Sequence, residues 1–209
     1  MKWKVESLVE NVLVLASKNA GKLAELNQLL MPLNVRAVSR ADLNFDEEIV
    51  ETGVTFEENA QLKAITCFKR LNLPTLADDS GLEIEALGGM PGVLSARYAS
   101  VDGRACSNEQ NIAKILNEMK NETNRAARMV CSLCFINQYG KMFTVTESCC
   151  GQIATTPTAA NGFGFDFIFE VNGVMLSKLS MEVKNKISHR GKAMQKFLCN
   201  FKGWWNAEI

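Results

Sequence analysis

The sequence predicts an α/β fold, and three observations support this prediction. A short apolar run of the buried-strand type, Asn11 to Ala16, leads into a polar loop, a helical pattern and a second strand-like run. Capping boxes begin two later helical segments. Two strand-like runs that flank Asn137 to Gly140 indicate a hairpin. Strands that alternate with helices in this way favour an α/β fold.

The first unit of the chain is a strand, a helix and a second strand. Leucines recur at helical spacing after the polar loop, at Leu23, Leu26, Leu29 and Leu30. Pro32 ends this helix, because proline lacks the N–H group that would continue it. Asn34 to Val38 then predicts the second strand.

Capping and periodicity predict the remaining helices. The capping box Thr55–Glu58 begins a helix that extends to about Leu71. The capping box Ser107–Gln110 begins another, which extends to about Met119. Apolar residues at helical spacing place a last helix near the C-terminus, with Met194, Phe197, Leu198 and Phe201 on its apolar face.

The remaining strands are shorter or interrupted. Thr75 to Ala77 predicts a short strand, and we expect the polar residues Asp78 to Gly81 to interrupt it before the alternating segment Leu82 to Leu87. The hairpin strands are expected at Arg128–Ile136 and Lys141–Cys149. The stretch Thr155–Phe169 is expected to be a loop.

Length and composition limit the class of protein. The 209 residues are 47% hydrophobic and 22% charged, which predicts a single globular domain over residues 1–209. Lys and Arg number 23 and Asp and Glu number 23, so the chain lacks the basic excess of a protein that binds a long nucleic acid. No apolar run approaches the roughly 18 residues of a membrane-spanning helix, so we expect no membrane partner.

The cysteines and the N-terminus bear on the compartment. Seven cysteines, an odd number, argue against a disulfide framework and for free thiols. Cys131-x-x-Cys134 lies in a strand-like run, where residues three apart point to opposite faces, so we expect buried structural cysteines. Glu6, Glu10 and Asn11 interrupt the apolar N-terminal residues, so no export signal is expected and the cytoplasm is the predicted compartment.

A polar segment, Ser17-Lys18-Asn19-Ala20-Gly21-Lys22, stands between the first strand and its helix. A helix N-terminus offers unpaired N–H groups and a partial positive charge, which favour a phosphate group. The lysines add charge, and Gly21 permits close approach. The segment lacks the first glycine and the final hydroxyl of the common phosphate-loop motif. It therefore predicts either a phosphate-binding loop or an ordinary helix start capped by Ser17 or Asn19.

A second candidate site is acidic. Asp78-Asp79-Ser80-Gly81 follows a predicted strand, where adjacent carboxylates fit either a solvated turn or a Mg²⁺ site beside a substrate phosphate. The same pair could polarise a water molecule for attack on phosphorus. Glu51 is a candidate for a further metal ligand, whereas the charge run Asp46 to Glu48 fits a solvated face.

Two later segments offer groups for a flat, polar ligand. In Gly162-Phe163-Gly164-Phe165-Asp166, glycines expose backbone, aromatic rings offer faces for a base, and Asp166 can accept hydrogen bonds from ring N–H groups. The alternative is a glycine-rich hairpin with core phenylalanines. Just before the last helix, Lys184 and Ser188-His189-Arg190 could bind an anion or a carbonyl oxygen. A lone histidine is more often a packing or capping residue, and that alternative stays open here.

These segments, in this order, resemble the inosine triphosphate pyrophosphatase family, and particularly its bacterial branch. The resemblance extends from about Asn11 to Phe201, and further markers are Glu51–Ala60, Leu76–Leu82, Pro91–Ala99 and Ile187–Gly191. Each marker alone is weak, but together at the family's spacing they are specific. The resemblance implies an elongated mixed sheet with flanking helices, two lobes around a central substrate cleft, and a homodimer.

The resemblance also implies an activity: hydrolysis of non-standard purine nucleoside triphosphates (dITP, ITP and XTP) to the monophosphate and pyrophosphate, with Mg²⁺ as cofactor. Glu51 and Asp79 would bind the metal, Asp79 would also be the general base, and Lys63 would face the phosphates as a second catalytic residue. His189 and Arg190 would contact the 6-keto oxygen of the base. The full set implied to hold the substrate is Ser17, Lys18, Asn19, Ala20, Gly21, Lys22, Ser80, Phe163, Gly164, Phe165, Asp166, Lys184, His189 and Arg190.

The sequence departs from the family pattern near the base loop. Phe167 stands where the family usually has proline, and Phe165 stands where tyrosine or tryptophan is frequent. Val50 precedes Glu51 where a second acid is common. Two alternatives therefore remain: a pyrophosphatase for other modified nucleotides, or a catalytically weak nucleotide-binding module. The presence of all three proposed catalytic groups, Glu51, Lys63 and Asp79, favours an active enzyme.

Overall fold

A computed structural model of the chain describes residues 11–158 and 162–205. The N-terminal segment without an expected export signal lies outside these residues, as do residues 159–161 of the predicted loop. The strands are β1 (Val12–Leu15), β2 (Arg36–Ser39), β3 (Thr75–Ile84), β4 (Ala126–Ile136), β5 (Met142–Ile153), β6 (Phe169–Val171) and β7 (Val174–Met175). The α-helices are α1 (Ala20–Leu30), α2 (Phe56–Leu71), α3 (Asn108–Glu118), α4 (Met181–Ile187) and α5 (His189–Trp205).

The strands form one mixed sheet in the order β2-β1-β3-β4-β5-β6-β7. β1 is parallel to both of its neighbours, β2 and β3. α1 connects β1 to β2 and α2 connects β2 to β3, and each helix returns the chain to the end of the sheet at which the previous strand began. From β3 onwards every neighbouring pair is antiparallel. The predicted α/β fold with a mixed sheet and flanking helices is confirmed. None of the helices in the described part of the chain is both long and apolar enough to cross a membrane.

The predicted helix starts are confirmed. Thr55 accepts a hydrogen bond from the backbone N–H of Glu58, and the Glu58 carboxylate accepts one from the backbone N–H of Thr55, so both groups of the capping box are satisfied at the start of α2. Ser107 and Gln110 do the same for α3. Pro32 lies in a short 3-10 turn directly after α1, as expected for a residue that ends a helix.

The predicted interruption of the third strand is wrong. β3 continues through Asp78–Gly81, and β4 pairs with it from Thr75 to Ile84. The main-chain hydrogen bonds of this long antiparallel ladder, together with cationic partners for both aspartates, outweigh the turn preference of the Asp-Asp-Ser-Gly sequence. Because side chains alternate along a strand, Asp78 and Asp79 point to opposite faces of the sheet.

The hairpin and the last helix form, with extended boundaries. β4 and β5 pair from Ala126 to Gln152, which is longer than the sequence predicts at both open ends. The last helix begins at His189, so His189 and Arg190 lie in its first turn and not in a segment that precedes it. The start of α5 therefore fixes the direction of both side chains.

Three apolar clusters form the core. One face of the sheet carries two of them: the first includes Leu76, Phe135 and Phe197, and the second includes Leu82, Ile115 and Phe169. On β3, Asp78 and Ser80 lie between Leu76 and Leu82, so polar side chains separate the two clusters. The third cluster packs α2 against the opposite face, and includes Ala60, Ala64 and Ala77.

The cysteines behave as predicted from alternation along a strand. Cys131 belongs to the first cluster and Cys134 to the third, on opposite faces of β4. All seven cysteines lie within the described ranges and are free. Burial raises the pKa of the Cys131 and Cys134 thiols to about 12, which keeps both protonated and unreactive at neutral pH.

A close backbone contact fixes the start of α5 against α4. A Cβ atom at Gly191 would lie 2.0 Å from the carbonyl oxygen of Asn185. No side chain fits in that space, so glycine permits the two helices to meet directly beside His189 and Arg190.

We predict that Gly191→Ala destabilises the protein by about 1–3 kcal/mol, because the added methyl group must push α5 away from α4. The matched control is Gly203→Ala in the same helix, where a Cβ atom meets no atom within 4 Å. This control should be neutral or stabilising by up to about 1 kcal/mol, through the better helix propensity of alanine. Chemical denaturation of both variants measures the difference, and equal effects would refute the close contact.

Candidate active site

The candidate site lies where β1 ends and β3 continues. β1 pairs with β3 at Thr75 and Leu76, so the edge of β3 beyond Leu76 extends past the carboxyl end of β1. The segment Ser17–Lys22 follows β1 at this same place. In open α/β sheets, ligands bind beyond the carboxyl ends of the parallel strands, so the topology points to this edge.

The polar segment after β1 is an exposed, capped helix start. The Asn19 side chain accepts hydrogen bonds from the backbone N–H groups of Gly21 (2.9 Å) and Lys22 (3.2 Å), and Ser17 Oγ accepts one from Asn19 N (3.2 Å). Lys18 Nζ contacts the backbone and side-chain oxygens of Asp46 at 2.6 and 3.0 Å. Residues Lys18 to Gly21 are exposed to solvent. Asn19 is therefore the N-cap of α1, one of the two caps that the sequence predicted. The loop is also accessible to an anion.

Asp78 lies on the face of the sheet that carries the first two clusters. Its side chain is buried, and its Oδ2 accepts hydrogen bonds from Lys22 Nζ (2.6 Å) and from an Arg190 NH2 group (3.4 Å). Burial alone would raise the pKa of Asp78, but Lys22, Arg190 and Lys63 together hold that pKa well below its usual range. Arg190 also donates a hydrogen bond to Ser80 Oγ (3.1 Å). Asp78 is thus a permanent carboxylate.

Asp79 lies on the opposite face, in a different cluster of charges. Lys63 Nζ donates to Asp79 Oδ1 (2.8 Å) and to Glu51 Oε1 (2.9 Å). Burial alone would lower the pKa of Lys63, but Asp79, Asp78 and Glu51 raise it above its ordinary value of 10.5. Burial raises the pKa of Asp79 above 3.8, and Lys63 offsets this in part. Asp79 is therefore a better proton acceptor than a solvated aspartate.

The hypothesis that Asp78 and Asp79 act together on one water molecule is wrong for this structure. The two carboxylates point to opposite faces of β3 because the strand is continuous there. Each has its own cations: Lys22 and Arg190 for Asp78, and Lys63 for Asp79. Asp78 therefore lies between two cationic side chains, whereas Asp79 shares Lys63 with Glu51.

Asn59 is a site residue that the sequence analysis missed. Its fully buried side chain accepts a hydrogen bond from Gly53 N (2.8 Å), and its amide nitrogen lies 3.4 Å from Asp79 Oδ2. A Cβ atom at Gly53 would lie 2.7 Å from the Asn59 side chain, so glycine is needed for this contact. The sequence did carry a signal for Asn59: it is a polar residue among the buried positions of α2, one turn before Lys63.

The Asp79 cluster fits a divalent cation completed by substrate. Glu51 and Asp79 both contact one positive charge, that of Lys63. Within the described residues, no group of three or more His, Cys, Asp or Glu side chains is placed to hold a metal alone. Mg²⁺ commonly takes one or two carboxylates, with water molecules and substrate phosphates as its other ligands. The donor set therefore suits Mg²⁺ brought together with a phosphate.

A cavity of about 220 Å³ lies beside Ser80 and the second apolar cluster, of which Met129 and Phe165 line it. Its lining includes Ser80, Phe163, Lys184, His189 and Arg190. The Phe163 ring is 54% exposed and lies 4.9 Å from Lys184 Nζ and 5.2 Å from the Arg190 guanidinium carbon. A larger cavity of about 640 Å³ lies at the other end of β1, beside Asn11, and none of the predicted site residues lines it.

Asp166 organises the glycine-rich loop from inside. It is 2% exposed, and its Oδ2 accepts hydrogen bonds from Lys184 Nζ (2.5 Å) and Phe163 N (3.0 Å). Gly164 adopts a φ of 59°, which glycine permits without strain. Of the two rings expected to border a base, Phe163 is exposed, whereas Phe165 is buried in the second apolar cluster.

The departure at Phe167 leaves the loop intact. Gly164–Phe167 forms a short 3-10 helix, and Phe167 packs half-buried against the second cluster. The aromatic side chain therefore takes an apolar position that suits it at the end of the loop.

His189 is a buried neutral imidazole beside two cations. Burial, followed by the positive charges of Arg190 and Lys184, lowers the pKa of His189 to about 3. The ring is 7% exposed, and its Nδ1 has no hydrogen-bond partner among the described residues. At neutral pH the ring has one N–H donor and one acceptor, so it can form hydrogen bonds with a ligand without adding a positive charge to the cavity.

Comparison with known proteins agrees with this architecture. The model of the Ham1 family matches residues 13–200. The dITP/XTP pyrophosphatase of Exiguobacterium sp. is 43% identical over 186 residues, which cover 88% of this chain and 93% of that protein. The Staphylococcus aureus Ham1 protein has a TM-score of 0.83 at 38% identity, and a HAM1 protein from Coxiella burnetii has 0.84 at 36%. Each of these structural matches covers 92% of this chain and 99% of the other.

We predict that the burial of neutral His189 makes stability fall with acidification. Below pH 6.5 the unfolded chain binds a proton at this residue, whereas the native protein does so only near its pKa of about 3. At pH 5 this difference costs about 2 kcal/mol of stability relative to pH 8. His189→Gln should lack this component.

Denaturation of both proteins at the two pH values measures the difference. Since the chain has a single histidine, its ring resonances in an NMR titration are unambiguous and should not shift between pH 8 and pH 5. A titration midpoint near pH 6.5 in the native protein would contradict the prediction.

Proposed function

The chain belongs to the Ham1 family, and we propose that it hydrolyses non-standard purine nucleoside triphosphates, dITP, ITP and XTP, to the monophosphate and pyrophosphate. The observation that carries this proposal is the position of Asp79. It adjoins Ser80, which lines the cavity beside Arg190, and it contacts Lys63 on the other face of the same strand. These positions support Asp79 as the general base, on the same edge of β3 as the proposed base-binding cavity and the proposed phosphate-binding loop.

The charge of the substrate explains the cations around this edge. A nucleoside triphosphate carries close to four negative charges, which repel an attacking hydroxide, so the protein must neutralise and position the phosphates. The N-terminus of α1 with Lys22, and the exposed loop with Lys18, suit the triphosphate. Ser17, Asn19, Ala20 and Gly21 complete this loop.

Glu51 and Asp79 would hold Mg²⁺. When bound, the metal neutralises phosphate charge and makes a coordinated water molecule more acidic. Lys63 holds both carboxylates in place through contacts of 2.8 and 2.9 Å. Asp79 would also accept the proton of the attacking water.

Pyrophosphate is released when water attacks the α-phosphorus, which is the phosphorus nearest the nucleoside. Asp79 is adjacent in the strand to Ser80, a residue of the cavity proposed for the base. Both residues lie on the edge of β3 that β1 leaves unpaired, where a substrate can approach either face of the sheet. Attack at the α end of the triphosphate, and not at the γ end, is therefore part of the proposal.

Selectivity for the base follows from donors in the cavity. Arg190 and neutral His189 can both donate hydrogen bonds, which a 6-keto oxygen accepts. The 6-amino group of adenine would meet these donors with its own donors and leave buried groups unpaired. The exposed face of Phe163 can border the base, and Asp166 holds Lys184 and the loop in position. The buried Phe165 supports the loop from the core.

We propose a homodimer that acts in the cytoplasm on small nucleotides and not on nucleic acids. Seven free cysteines agree with a reducing compartment. A pyrophosphatase for other modified nucleotides is the second candidate, because Phe165 and Phe167 stand where the family usually has other residues, and Phe165 is buried. The complete set Glu51, Lys63 and Asp79 favours catalysis over simple binding.

A panel of nucleoside triphosphates with product analysis tests the proposal. With Mg²⁺ we expect dITP, ITP and XTP to yield monophosphate and pyrophosphate in equal amounts, and we expect ATP to react much more slowly. Activity should be lost in EDTA and return when Mg²⁺ is restored. Diphosphate and orthophosphate as products would instead show attack at the γ-phosphorus, which contradicts the proposed geometry.

We predict that Asp79→Asn lowers kcat for ITP by at least about 100-fold, because the amide keeps the shape of the side chain but cannot accept the proton. Glu83→Gln is the matched control, since Glu83 lies on the same strand and points to the same face, where it pairs with Arg128. The control should retain turnover. Near-normal kcat for Asp79→Asn would exclude Asp79 as the base.

A further inference from the structure

We propose that Asp78 is a positioning residue that joins the phosphate-binding and base-binding ends of the site through Lys22 and Arg190. The proposal rests on the proposed function, because it takes Lys22 as a phosphate contact and Arg190 as a base contact. Asp78 itself touches neither substrate nor metal in this scheme. Its effect on the reaction passes through the two cationic side chains that it holds.

One oxygen atom carries both contacts. Asp78 Oδ2 accepts from Lys22 Nζ at 2.6 Å and from Arg190 NH2 at 3.4 Å. Lys22 belongs to the first turn of α1 and Arg190 to the first turn of α5, two helices that begin far apart in the chain. The carboxylate therefore ties the starts of both helices to the same point on β3.

Asp78 is buried and the Arg190 side chain is nearly so, whereas the Lys22 side chain is 26% exposed. Asp78 is 7% exposed, and the Arg190 side chain is 11% exposed. Removing one member of a buried group of charges leaves the others without compensation, which costs far more than the loss of a surface ion pair. Lys22 and Arg190 carry the same charge, so without Asp78 they would repel each other across the site.

The two cations keep hydrogen-bond donors that Asp78 does not use. An ammonium group has three donors and a guanidinium group has five, and Asp78 occupies part of each. Arg190 Nε is buried and has no hydrogen-bond partner among the described residues. Both cations also line the cavity. Asp78 thus fixes where Lys22 and Arg190 stand while leaving donors for phosphate and for the base.

The same geometry separates the side-chain contacts of Asp78 from those of Asp79. Asp78 points away from the face that carries Glu51 and Asp79, because neighbouring residues of a strand alternate. Its side chain contacts neither Glu51 nor Asn59, whereas Asp79 contacts Lys63 and approaches Asn59. The two adjacent aspartates therefore have different roles.

A pair of lysine substitutions tests the link. We would measure the dissociation constants of ITP and ATP in EDTA, so that binding is separated from turnover, for the wild type, Lys22→Met and Lys18→Met. Phosphates are common to both nucleotides, so a lysine that binds phosphate alone affects both equally. Lys18 is the matched control, because it belongs to the same loop but pairs with exposed Asp46.

We expect Lys22→Met to weaken both nucleotides and also to reduce the preference for ITP over ATP by at least about threefold, a ratio typical of coupled residues. With Lys22 removed, Asp78 attracts Arg190 alone and withdraws it from the base. Lys18→Met should leave the preference unchanged. An unchanged preference in Lys22→Met, or a wild type without any preference for ITP, would overturn the proposal.

Asp78→Asn gives a second test, with its fold checked by thermal unfolding. The variant should reduce the same preference, and adding Lys22→Met to it should reduce the preference no further, because both changes break one link. Additive losses would overturn the proposal. If Asp78→Asn does not fold, the two lysine variants decide the question. Failure of the wild type to hydrolyse ITP with Mg²⁺ would refute the proposed function separately, since the binding ratios do not depend on turnover.

Discussion

The alternation of side chains along β3 is the constraint on which the rest of the site depends. The strand runs without a break from Thr75 to Ile84, so Asp78 and Asp79 must face opposite sides of the sheet. The Asp78 carboxylate then pairs with Lys22 and Arg190. The Asp79 carboxylate pairs with Lys63, which also contacts Glu51. The sheet thereby keeps two negative charges apart that would repel each other on one face. The proposed base-binding cavity and the proposed catalytic cluster can therefore share a single strand.

Buried charge explains why the surrounding elements meet where they do. Asp78, Asp166 and Lys184 are all nearly inaccessible to solvent, and such groups are tolerated when they are paired. Their partners come from the starts of α1 and α5 and from the glycine-rich loop. The contact at Gly191 holds α4, which carries Lys184, directly against α5, which carries Arg190. Packing and electrostatics thus select the same arrangement of helices.

Much of this could be predicted from the sequence, because the signals were local. The capping boxes at Thr55 and Ser107 and the hairpin around Asn137–Gly140 depend on neighbouring residues, and all formed as expected. The continuity of β3 could not be predicted, because it depends on pairing with β4, which follows much later in the chain. Asn59 was missed for a similar reason. Its importance arises from Gly53 and Asp79, which the fold brings to it.

The charges in the cavity suggest how a neutral base and a charged triphosphate enter in the correct orientation. At the base end, Lys184 is paired with Asp166 and Arg190 with Asp78, and His189 between them stays neutral. These pairings cancel most of the positive charge there but leave N–H donors in place. At the other end, the start of α1 is exposed and its partial positive charge has no acidic side chain in the first turn. Under the proposed function, phosphate is attracted to the loop, whereas the cavity accepts a neutral group with a carbonyl oxygen. The direction of binding follows from this gradient of charge.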